Sequence, residues 1–328
     1  MKKIFIPILL IIIILSTAIL IKRKDQNTSL KKIKVAEVTH SIFYAPQYLA
    51  DSLGYFKDEG LDVEFILTPG ADKVTSSVLS GDTDIGFCGS EATIYVYKNG
   101  EKDYLVNFAG LTKRDGSFLV SRKNIKNFEI EDLKGKHVIA GRKAGMPAMT
   151  LEYALNKNGL KTSDLNFDTS YDFSATTGAF IGGNGDFVAL FEPTASSVVK
   201  QGYGYIVASV GELGGVVPYT AYNAKKSYID KHLKELKGFT KAINKALNYV
   251  HNNSAHDVAL KINSYFPDSS INDLEKMVQN YMDIDAWFDT TEITKKDFNH
   301  IQEIVKNAGE LDKEAPYNKL VNNEYIKK

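Results

Sequence analysis

The stretch GDTDIGFCGSEATIYVY, Gly81–Tyr97, changes character twice within a few residues. An apolar run begins after Asp84, is broken by the letters GSE, and resumes with apolar residues at helical spacing. A second stretch, GNGDFVALFEPTASSVV (183–199), repeats this order, and its Gly183 and Asp186 each stand 102 residues after Gly81 and Asp84. Two copies of strand, polar break and helix predict a repeated α/β unit.

The flanking sequence continues the alternation. Strand patterns occur at IKVAEVT (33–39), LDVEFIL (61–67), HVIAG (137–141), LNFDTS (165–170) and DFVALF (186–191). Helical patterns lie between them; one is opened by Pro46 and followed by Gly54, where a helix C-terminus favours glycine. Beyond about residue 225 the pattern is helical. Strands alternating with helices predict an α/β fold, and the restart at residue 137 predicts a second lobe.

Four junctions combine a strand end, a polar break and a helix start: His40–Tyr44, Gly89–Glu91, Gly145–Pro147 and Glu192–Thr194. Ligands of open α/β sheets bind outside the carboxyl ends of the strands, where loops lead into helices. Free amides at a helix start favour an anionic or hydrogen-bond-accepting group. Two lobes whose junctions face each other would form a ligand cleft.

Individual side chains at these junctions fit more than one role. Glu91 and Glu192 would accept hydrogen bonds from ligand donors, and Phe43 and Tyr44 would offer flat faces for stacking. Equally, Ser90 or Glu192 would cap a helix, and Tyr44 would pack beneath one. The case for a cleft therefore rests on four similar junctions within one repeat.

The charge balance argues against nucleic acid as a partner. The chain of 328 residues has a formal net charge of zero, with five basic and no acidic residues in positions 1–24 and a net charge of −5 in the remainder. No basic stripe interleaved with aromatic residues occurs. The single cysteine, Cys88, excludes an intrachain disulfide and a cysteine zinc cluster, and we expect it to be a small buried residue.

Motifs of enzyme chemistry are absent from the sequence. There is no H-E-x-x-H, G-x-S-x-G or Walker loop, and His251 and His256 lack the i, i+4 spacing of paired metal ligands. The letters GGNG (182–185) precede a strand and read as a turn. His40 is a lone loop histidine, more typical of a binding or packing role. We therefore expect no catalytic residue, no metal and no cofactor.

The N-terminus predicts export. Ile4–Ile21 is a run of 18 uncharged residues between basic flanks. As a helix it would span about 27 Å, close to the thickness of a bilayer core. Ser16-Thr17-Ala18 resembles a weak cleavage site, so residues 1–24 are either a signal peptide or a membrane anchor, followed by a polar linker at 25–32.

Four longer segments resemble the solute-binding proteins of ABC importers. They are HSIFYAPQYLADSLGYFKDEGLDVEF (40–65), SVLSGDTDIGFCGSE (77–91), GRKAGMPAMTLEYALNKNGL (141–160) and GDFVALFEPTASSVVKQGYGYIVAS (185–209). The group they are similar to comprises the nitrate, sulfonate, taurine and thiamine-precursor proteins, related to the thiamine-pyrimidine synthase superfamily. The resemblance covers residues 33–320. Gram-positive relatives are usually lipoproteins, but no lipid-attachment cysteine follows the N-terminal run here.

The resemblance implies a type II periplasmic-binding-protein-like fold, in which mixed sheets flanked by helices form two lobes around a cleft. Lobe one would comprise residues 33–112 and 218–328. Crossing segments would lie at 113–118 and 209–217, and lobe two would be 119–208.

The resemblance also implies a set of ligand-binding residues in the cleft. Carried over by position, they are Ser41, Phe43, Tyr44, Gly89, Ser90, Glu91, Arg114, Gly145, Met146, Pro147, Ser174, Glu192 and Tyr219. Arg114 would serve an anionic ligand or pair with a neighbouring carboxylate such as Asp115.

The implied function is capture of a small-molecule ligand for the permease subunit of an ABC importer, by a monomer attached to the membrane through its N-terminal segment or secreted. Acidic and aromatic residues outnumber basic ones at the junctions, which favours a heteroaromatic or amine-bearing solute such as a thiamine-pyrimidine precursor. The alternatives are a sulfonate, taurine or nitrate ligand, a pyrimidine-synthase-like enzyme, and an extracellular sensing domain. The single cysteine disfavours the synthase, whose active site is cysteine-rich.

Overall fold

The computed structural model describes residues 30–172 and 174–326. The strands of its first sheet are β1 (Lys31–Glu37), β2 (Leu61–Leu67), β3 (Ile85–Gly89), β4 (Leu105–Thr112) and β10 (Thr220–Lys225). Their order is β2-β1-β3-β10-β4. Strand β1 runs parallel to β2 and β3, whereas β10 runs antiparallel to β3 and β4.

The second sheet has the same plan. Its strands are β5 (Phe118–Ser121), β6 (His137–Ile139), β7 (Asn166–Asp168), β8 (Phe187–Leu190) and β9 (Tyr205–Ser209), in the order β7-β6-β8-β5-β9. Strand β6 is parallel to β7 and β8, and β5 is antiparallel to β8 and β9. We call the part of the chain built on the first sheet lobe one, and the part built on the second sheet lobe two. The predicted fold class is confirmed.

The two G-x-x-D segments occupy equivalent places before β3 and β8. Gly81 and Gly183 have left-handed backbone, with φ of 89° and 103°. Asp84 Oδ2 accepts a hydrogen bond from the backbone amide of Lys34 over 2.9 Å, and the Asp84 amide donates to the Lys34 carbonyl over 3.0 Å. Asp186 makes the same two bonds to His137, over 3.0 Å and 2.7 Å. Each aspartate thus fastens the start of its strand to the neighbouring strand.

Helices cover both sheets. They are α1 (Ala45–Ser52), α2 (Tyr55–Asp58), α3 (Ala71–Ser80), α4 (Glu91–Lys98), α5 (Met146–Lys157), α6 (Thr176–Ile181), α7 (Thr194–Lys200), α8 (Val210–Gly214), α9 (Lys226–Lys231), α10 (Leu233–Asn252), α11 (Ala255–Ile262), α12 (Ile271–Asp283), α13 (Lys295–Asn307) and α14 (Tyr317–Leu320). Gly54 follows α1 with φ of 73°, as its position in the sequence predicts.

The C-terminal helices return to lobe one, with one exception. Helices α10 and α11 pack on α1, and α12 packs on the 3-10 turn at Ile42–Tyr44. Helix α13, in contrast, packs mainly against α5 of lobe two. The largest apolar cluster of the described residues extends through both lobes, with Phe43 of lobe one, Phe118 of the crossing and Val188 of lobe two among its members, and a separate cluster lies within lobe two. The lobes are therefore closed on each other.

The N-terminal predictions fall largely outside the described chain. The segment 1–24 and most of the linker 25–32 precede residue 30, although β1 already begins at Lys31, inside the predicted linker. Among the helices of residues 30–172 and 174–326, none has the length and apolar character needed to cross a membrane.

Candidate ligand-binding site

Ser41 links the carboxyl ends of β1 and β8. It precedes the 3-10 turn at Ile42–Tyr44, where its Oγ accepts from the Phe43 amide over 3.2 Å. The same Oγ donates to the backbone carbonyl of Glu192 in lobe two over 2.9 Å. Two of the four predicted junctions therefore meet directly.

Phe43 is buried between the lobes. Its ring centroid lies 5.0 Å from that of Tyr281, 5.8 Å from Phe191 and 5.9 Å from Tyr219. The ring also covers the backbone of Gly116 in the crossing, where a Cβ would come within 2.7 Å of it. In this closed arrangement Phe43 packs against protein and does not present an open stacking face.

Glu91 begins α4 and places a carboxylate inside the closed cleft. The side chain is 8% exposed and folds back over Gly89, where an added Cβ would collide with both carboxylate oxygens. Oε2 is buried and accepts no hydrogen bond within the described residues. Burial raises the pKa of Glu91 to about 7; Arg142 opposes this rise and Asp115 adds to it.

Asp115, in the crossing segment, is the second buried carboxylate. Its Oδ1 accepts from the Ser117 amide over 2.7 Å and from the Ser117 hydroxyl over 2.5 Å. Its Oδ2 is buried and, in the described part of the chain, has no partner at hydrogen-bonding geometry. Burial raises the pKa of Asp115 to about 6, although Ser117 and the nearby hydroxyls of Tyr219 and Thr150 lower it.

Two tyrosines line the same space. Tyr44 is 3% exposed and Tyr219 is 6% exposed. Burial raises the pKa of both, and both feel the negative charge of Glu91. Tyr219 also feels that of Asp115. These residues therefore form one buried cluster of acidic and aromatic side chains, which we take as the candidate ligand pocket.

The side chains of Glu91 and Asp115 form no ion pair with a lysine, arginine or histidine in the described part of the chain. Arg142, on the loop between β6 and α5, lowers the pKa of Glu91 through space without forming an ion pair with it. Arg142 is about half exposed and lies 4.0 Å from Asp72 of lobe one. Two buried carboxylates without an ion-pair partner disfavour an anionic occupant.

Ser90 and Gly89 have structural roles beside the pocket. The Ser90 hydroxyl donates to the Pro218 carbonyl over 2.5 Å, and its amide donates to the Tyr219 carbonyl over 3.3 Å. Ser90 thus fastens the end of β3 to residues 218–219, which directly follow the second crossing segment, and it is not a side-chain cap of α4. Gly89 provides the room in which the Glu91 carboxylate lies.

Glu192 is buried, and its carboxylate is bound by protein donors. Its Oε1 accepts from the Ser196 hydroxyl and from Asn280 Nδ2, each over 2.7 Å, and its Oε2 accepts from the Ser196 amide over 2.9 Å. Protein donors therefore engage both oxygens. The carboxylate holds the first turn of α7 and the lobe-one helix α12, and a ligand contact at Glu192 stays a prediction.

The other predicted site residues are Arg114, the start of α5 and Ser174. Arg114 lies 3.9 Å from Asp285, while its buried Nε has no partner within the described chain. Gly145, Met146 and Pro147 form the start of α5, as predicted, and Ser174 is exposed.

The family described as NMT1/THI5 like matches residues 42–256, which hold both copies of the repeat and every predicted site residue except Ser41. The chain belongs to the NMT1/THI5-like family. It is 45% identical over 304 residues to the "putative binding protein YtlA" of Bacillus subtilis (strain 168), covering 92% of this chain and 91% of that relative.

Solved structures share the fold of this NMT1/THI5-like protein. The aliphatic sulphonate-binding protein SsuA of Escherichia coli superposes with a TM-score of 0.69 at 18% identity, covering 91% of this chain and all of that one. The nitrate-binding protein NrtA of Synechocystis PCC 6803 gives 0.71 at 14% identity, covering 90% of this chain and 87% of that one. Both are periplasmic binding proteins, and at these identities the likeness shows the fold alone.

Sequence reasoning missed Asp115 and Thr150 as pocket residues. The sequence suggests Asp115 only as a partner of Arg114, which instead approaches Asp285. The sequence feature that could have indicated Asp115 is Asp115-Gly116-Ser117 in a predicted crossing. An aspartate often accepts hydrogen bonds from a serine two residues later through one carboxylate oxygen, which leaves the other oxygen free. The described residues hold no group of three or more His, Cys, Asp or Glu side chains placed for a metal ion.

Proposed function

We propose that this protein is an extracytoplasmic solute-binding protein, which captures a small molecule between its lobes and delivers it to the permease of an ABC importer. Three observations support the proposal: family membership, the fold shared with periplasmic binding proteins, and buried carboxylate oxygens without partners in the candidate pocket. The pocket carries the argument, because its buried carboxylates lack partners that a ligand would supply.

We propose the lobe division 33–112 with 218–328 and 119–208, joined at 113–118 and 209–217. The sheet membership of the strands supports it, since β4 and β10 belong to the first sheet and β5 and β9 to the second. The crossings would act as hinges that open the closed arrangement. Helix α13 would then slide on α5 or separate from it during opening.

For the ligand, we propose a heteroaromatic or amine-bearing solute such as a thiamine-pyrimidine precursor. Glu91 Oε2 and Asp115 Oδ2 have no partner at hydrogen-bonding geometry among the described residues, and Tyr44 and Tyr219 supply aromatic surface. A sulfonate or nitrate, as named for SsuA and NrtA, would meet the negative charge of Glu91 and Asp115. An oxyanion ligand, the alternative that the sequence analysis left open, is therefore the second candidate.

We propose a binding role over the synthase-like alternative on the environment of Cys88. Its thiol is fully buried in lobe one and lies 3.6 Å from Asn223 Nδ2. Burial raises the pKa of Cys88, and the negative Glu91 raises it further, so the reactive thiolate is disfavoured. Sustained turnover of any pyrimidine precursor by the purified protein would contradict this proposal.

A thermal-shift screen over two panels tests the function and the ligand class together. One panel holds aminopyrimidines and other amine-bearing heterocycles, and the other holds nitrate, taurine and alkanesulfonates. A ligand at 100 times its Kd should stabilise the protein by about 2.7 kcal/mol. Stabilisation by the first panel alone supports the proposal, and stabilisation by the second alone favours the oxyanion alternative. No stabilisation by either would count against solute capture.

We propose export by means of residues 1–24, either retained as an anchor or cleaved near Ala18. N-terminal sequencing of the exported protein distinguishes the two forms. Recovery of the full-length chain from the cytoplasm after cell fractionation would contradict both.

A further inference from the structure

We propose that helix α13 holds the lobes together from outside the cleft: it is anchored on lobe one, binds α5 of lobe two, and so sets what fraction of the unliganded protein is closed. Through that fraction it controls the apparent affinity for the solute without touching the solute. The inference rests on the proposed solute-binding function and goes beyond it by assigning an affinity-determining contact away from the candidate pocket.

Helix α13 is attached to lobe one both before and along its length. The Gly110 amide of β4 donates to the carbonyl of Thr291, just before the helix, over 2.9 Å. Within the helix, Gln302 Oε1 accepts from the Ala315 amide over 2.6 Å. Ala315 lies shortly before α14, which packs on β4. The helix should therefore stay with lobe one when the lobes separate.

The side of α13 that faces lobe two binds α5 through polar and aromatic side chains. The Tyr153 hydroxyl donates to Glu303 Oε1 over 3.1 Å, and Asn156 Nδ2 donates to Asn307 Oδ1 over 3.2 Å. The Tyr153 ring also lies edge-on to the His300 ring, with the centroids 5.4 Å apart. The two residues of α5 and the three of α13 each have the spacing of a single helix face. We call these five side chains the α5–α13 contact.

His300 joins the α5–α13 contact to the second crossing segment. Its Nδ1 lies 2.7 Å from the Val216 carbonyl oxygen, and because a carbonyl only accepts, Nδ1 carries the proton and donates. Gly215 leaves room for the ring: its φ is 83°, and a Cβ there would come within 3.1 Å of His300 Cε1. The contact therefore lies beside a segment that we propose as a hinge.

The α5–α13 contact is separate from the predicted ligand-binding residues of α5. Those residues form the start of the helix, which begins at Met146. At about 1.5 Å rise per residue, Tyr153 and Asn156 lie about 10 and 15 Å further along the helix axis. A substitution at either position therefore changes the balance between open and closed forms without removing a predicted solute contact.

The polar character of the contact suits a closure that has to be reversible. All five side chains line a groove of about 1040 Å³, and Asn156, Glu303 and Asn307 are exposed. Water can therefore replace their bonds when the lobes separate, so each bond stabilises the closed form only modestly, by about fivefold in an equilibrium constant. The apparent Kd equals the intrinsic Kd divided by the closed fraction, so the solute affinity follows that fraction.

Small-angle X-ray scattering of the unliganded protein tests the contact without any solute. Tyr153→Phe removes the hydroxyl but keeps the ring against His300, and Asn156→Ala removes the second bond. The variant with both substitutions should have a closed-to-open ratio at least about fivefold lower than wild type and a larger radius of gyration. Tyr265→Phe is the matched control, because the Tyr265 hydroxyl donates to Asp51 within lobe one. It should leave the radius unchanged, with the folding of each variant checked by circular dichroism.

Isothermal titration calorimetry then measures the effect on affinity, with 4-aminopyrimidine from the first screening panel and taurine from the second. For the probe that binds the wild-type protein, we expect the Kd to rise at least about twofold in the double variant and to stay unchanged in Tyr265→Phe. A saturating concentration of that probe should return the radius of gyration of the double variant to the value of liganded wild type.

Equal radii for the unliganded double variant and wild type would overturn the inference while leaving solute capture intact. A larger radius with an unchanged Kd would also overturn it, because affinity would then not follow the closed fraction. If both probes and both screening panels fail to bind, the proposed function itself fails. The scattering data would still decide whether the α5–α13 contact holds the lobes together.

Discussion

The Ser41 hydroxyl donates to the backbone carbonyl of Glu192 over 2.9 Å, and this bond joins the strand ends of the two lobes. Tyr281 of α12 supports the same place, since its hydroxyl accepts from the Glu192 amide over 3.1 Å and donates to the Gly116 carbonyl over 3.2 Å. The closed arrangement thus uses polar bonds that the lobes would have to exchange for water on opening.

Ser41→Ala should shift the protein toward an open form. The substitution leaves the buried Glu192 carbonyl without this donor in the closed state, which costs about 1–3 kcal/mol, whereas in the open state water would replace it. Small-angle X-ray scattering should show a larger radius of gyration than for wild type. Ser52→Ala removes a hydroxyl that donates to Leu49 within lobe one and should leave the radius unchanged. Identical scattering from Ser41→Ala and wild type would show that this bond does not control closure.

Glu192→Gln should destabilise the protein in the absence of any ligand. The glutamine NH2 group would face a donor group of Ser196 or Asn280, so one hydrogen bond would be lost. Hydrogen bonds to a charged group contribute about 1.5–3 kcal/mol each. Urea unfolding measures the loss, and a double-mutant cycle with Asn280→Ala should show coupling between the two positions. If Glu192→Gln leaves stability unchanged but alters solute affinity, the result would instead support the ligand contact that the sequence predicts for Glu192.

The course of the chain was predictable to a greater extent than the chemistry of its cleft. Apolar periodicity located the strands, and the repeat of Gly81 and Asp84 at Gly183 and Asp186 predicted two similar lobes. Asp115 was not predictable as a pocket residue because its surroundings come from Glu91, Thr150 and Tyr219, which are distant in sequence. The direction of the Glu192 side chain depended on Asn280, a residue of a helix whose packing no local pattern specifies.

The stability of the unliganded protein should fall as pH rises from about 4 to 7. Both Glu91 and Asp115 have folded-state pKa values above their ordinary ones, about 7 and about 6, so the unfolded chain loses these protons first. In that window the folded state binds more protons than the unfolded state, and a tenfold difference in proton affinity between the two states corresponds to about 1.4 kcal/mol of stability.

Chemical unfolding at several pH values measures this decline, which opposes the contribution of carboxylates whose pKa is lowered, such as Asp168. Glu91→Gln and Asp115→Asn should each flatten the profile, because each removes one of the two groups that hold a proton in the folded state. If both variants reproduced the wild-type dependence of stability on pH, this would contradict the assignment of the decline to Glu91 and Asp115.

Cys88 should resist thiol reagents in the folded protein. The thiol is fully buried and its pKa is raised, so both access and thiolate formation are disfavoured. Reaction with Ellman's reagent at pH 8 should be slow in buffer and rapid in guanidinium chloride, which serves as the control. Rapid reaction in buffer, at a rate near that of the unfolded chain, would mean that Cys88 is exposed.

Asp84 and Asp186 should have matching local effects in different lobes. Each carboxylate accepts from the backbone amide of the adjacent strand, Lys34 in lobe one and His137 in lobe two. Asp84→Ala should therefore lower hydrogen-exchange protection at the Lys34 amide and along β1 and β3, while leaving β6 and β8 protected. Asp186→Ala should do the reverse. Since both bonds are partly exposed, we expect each substitution to cost about 1 kcal/mol.

Asp82→Ala is the control for this pair, because Asp82 lies in the same turn as Asp84 but bonds only to Ser80 through its side chain among the described contacts. Its substitution should leave the Lys34 amide protected. Equal loss of protection from Asp82→Ala and Asp84→Ala would show that the turn, and not the strand-fastening bond, is what the G-x-x-D sequence provides. Protection lost across both lobes in either aspartate variant would show instead that the lobes unfold as one cooperative unit, consistent with the apolar core they share.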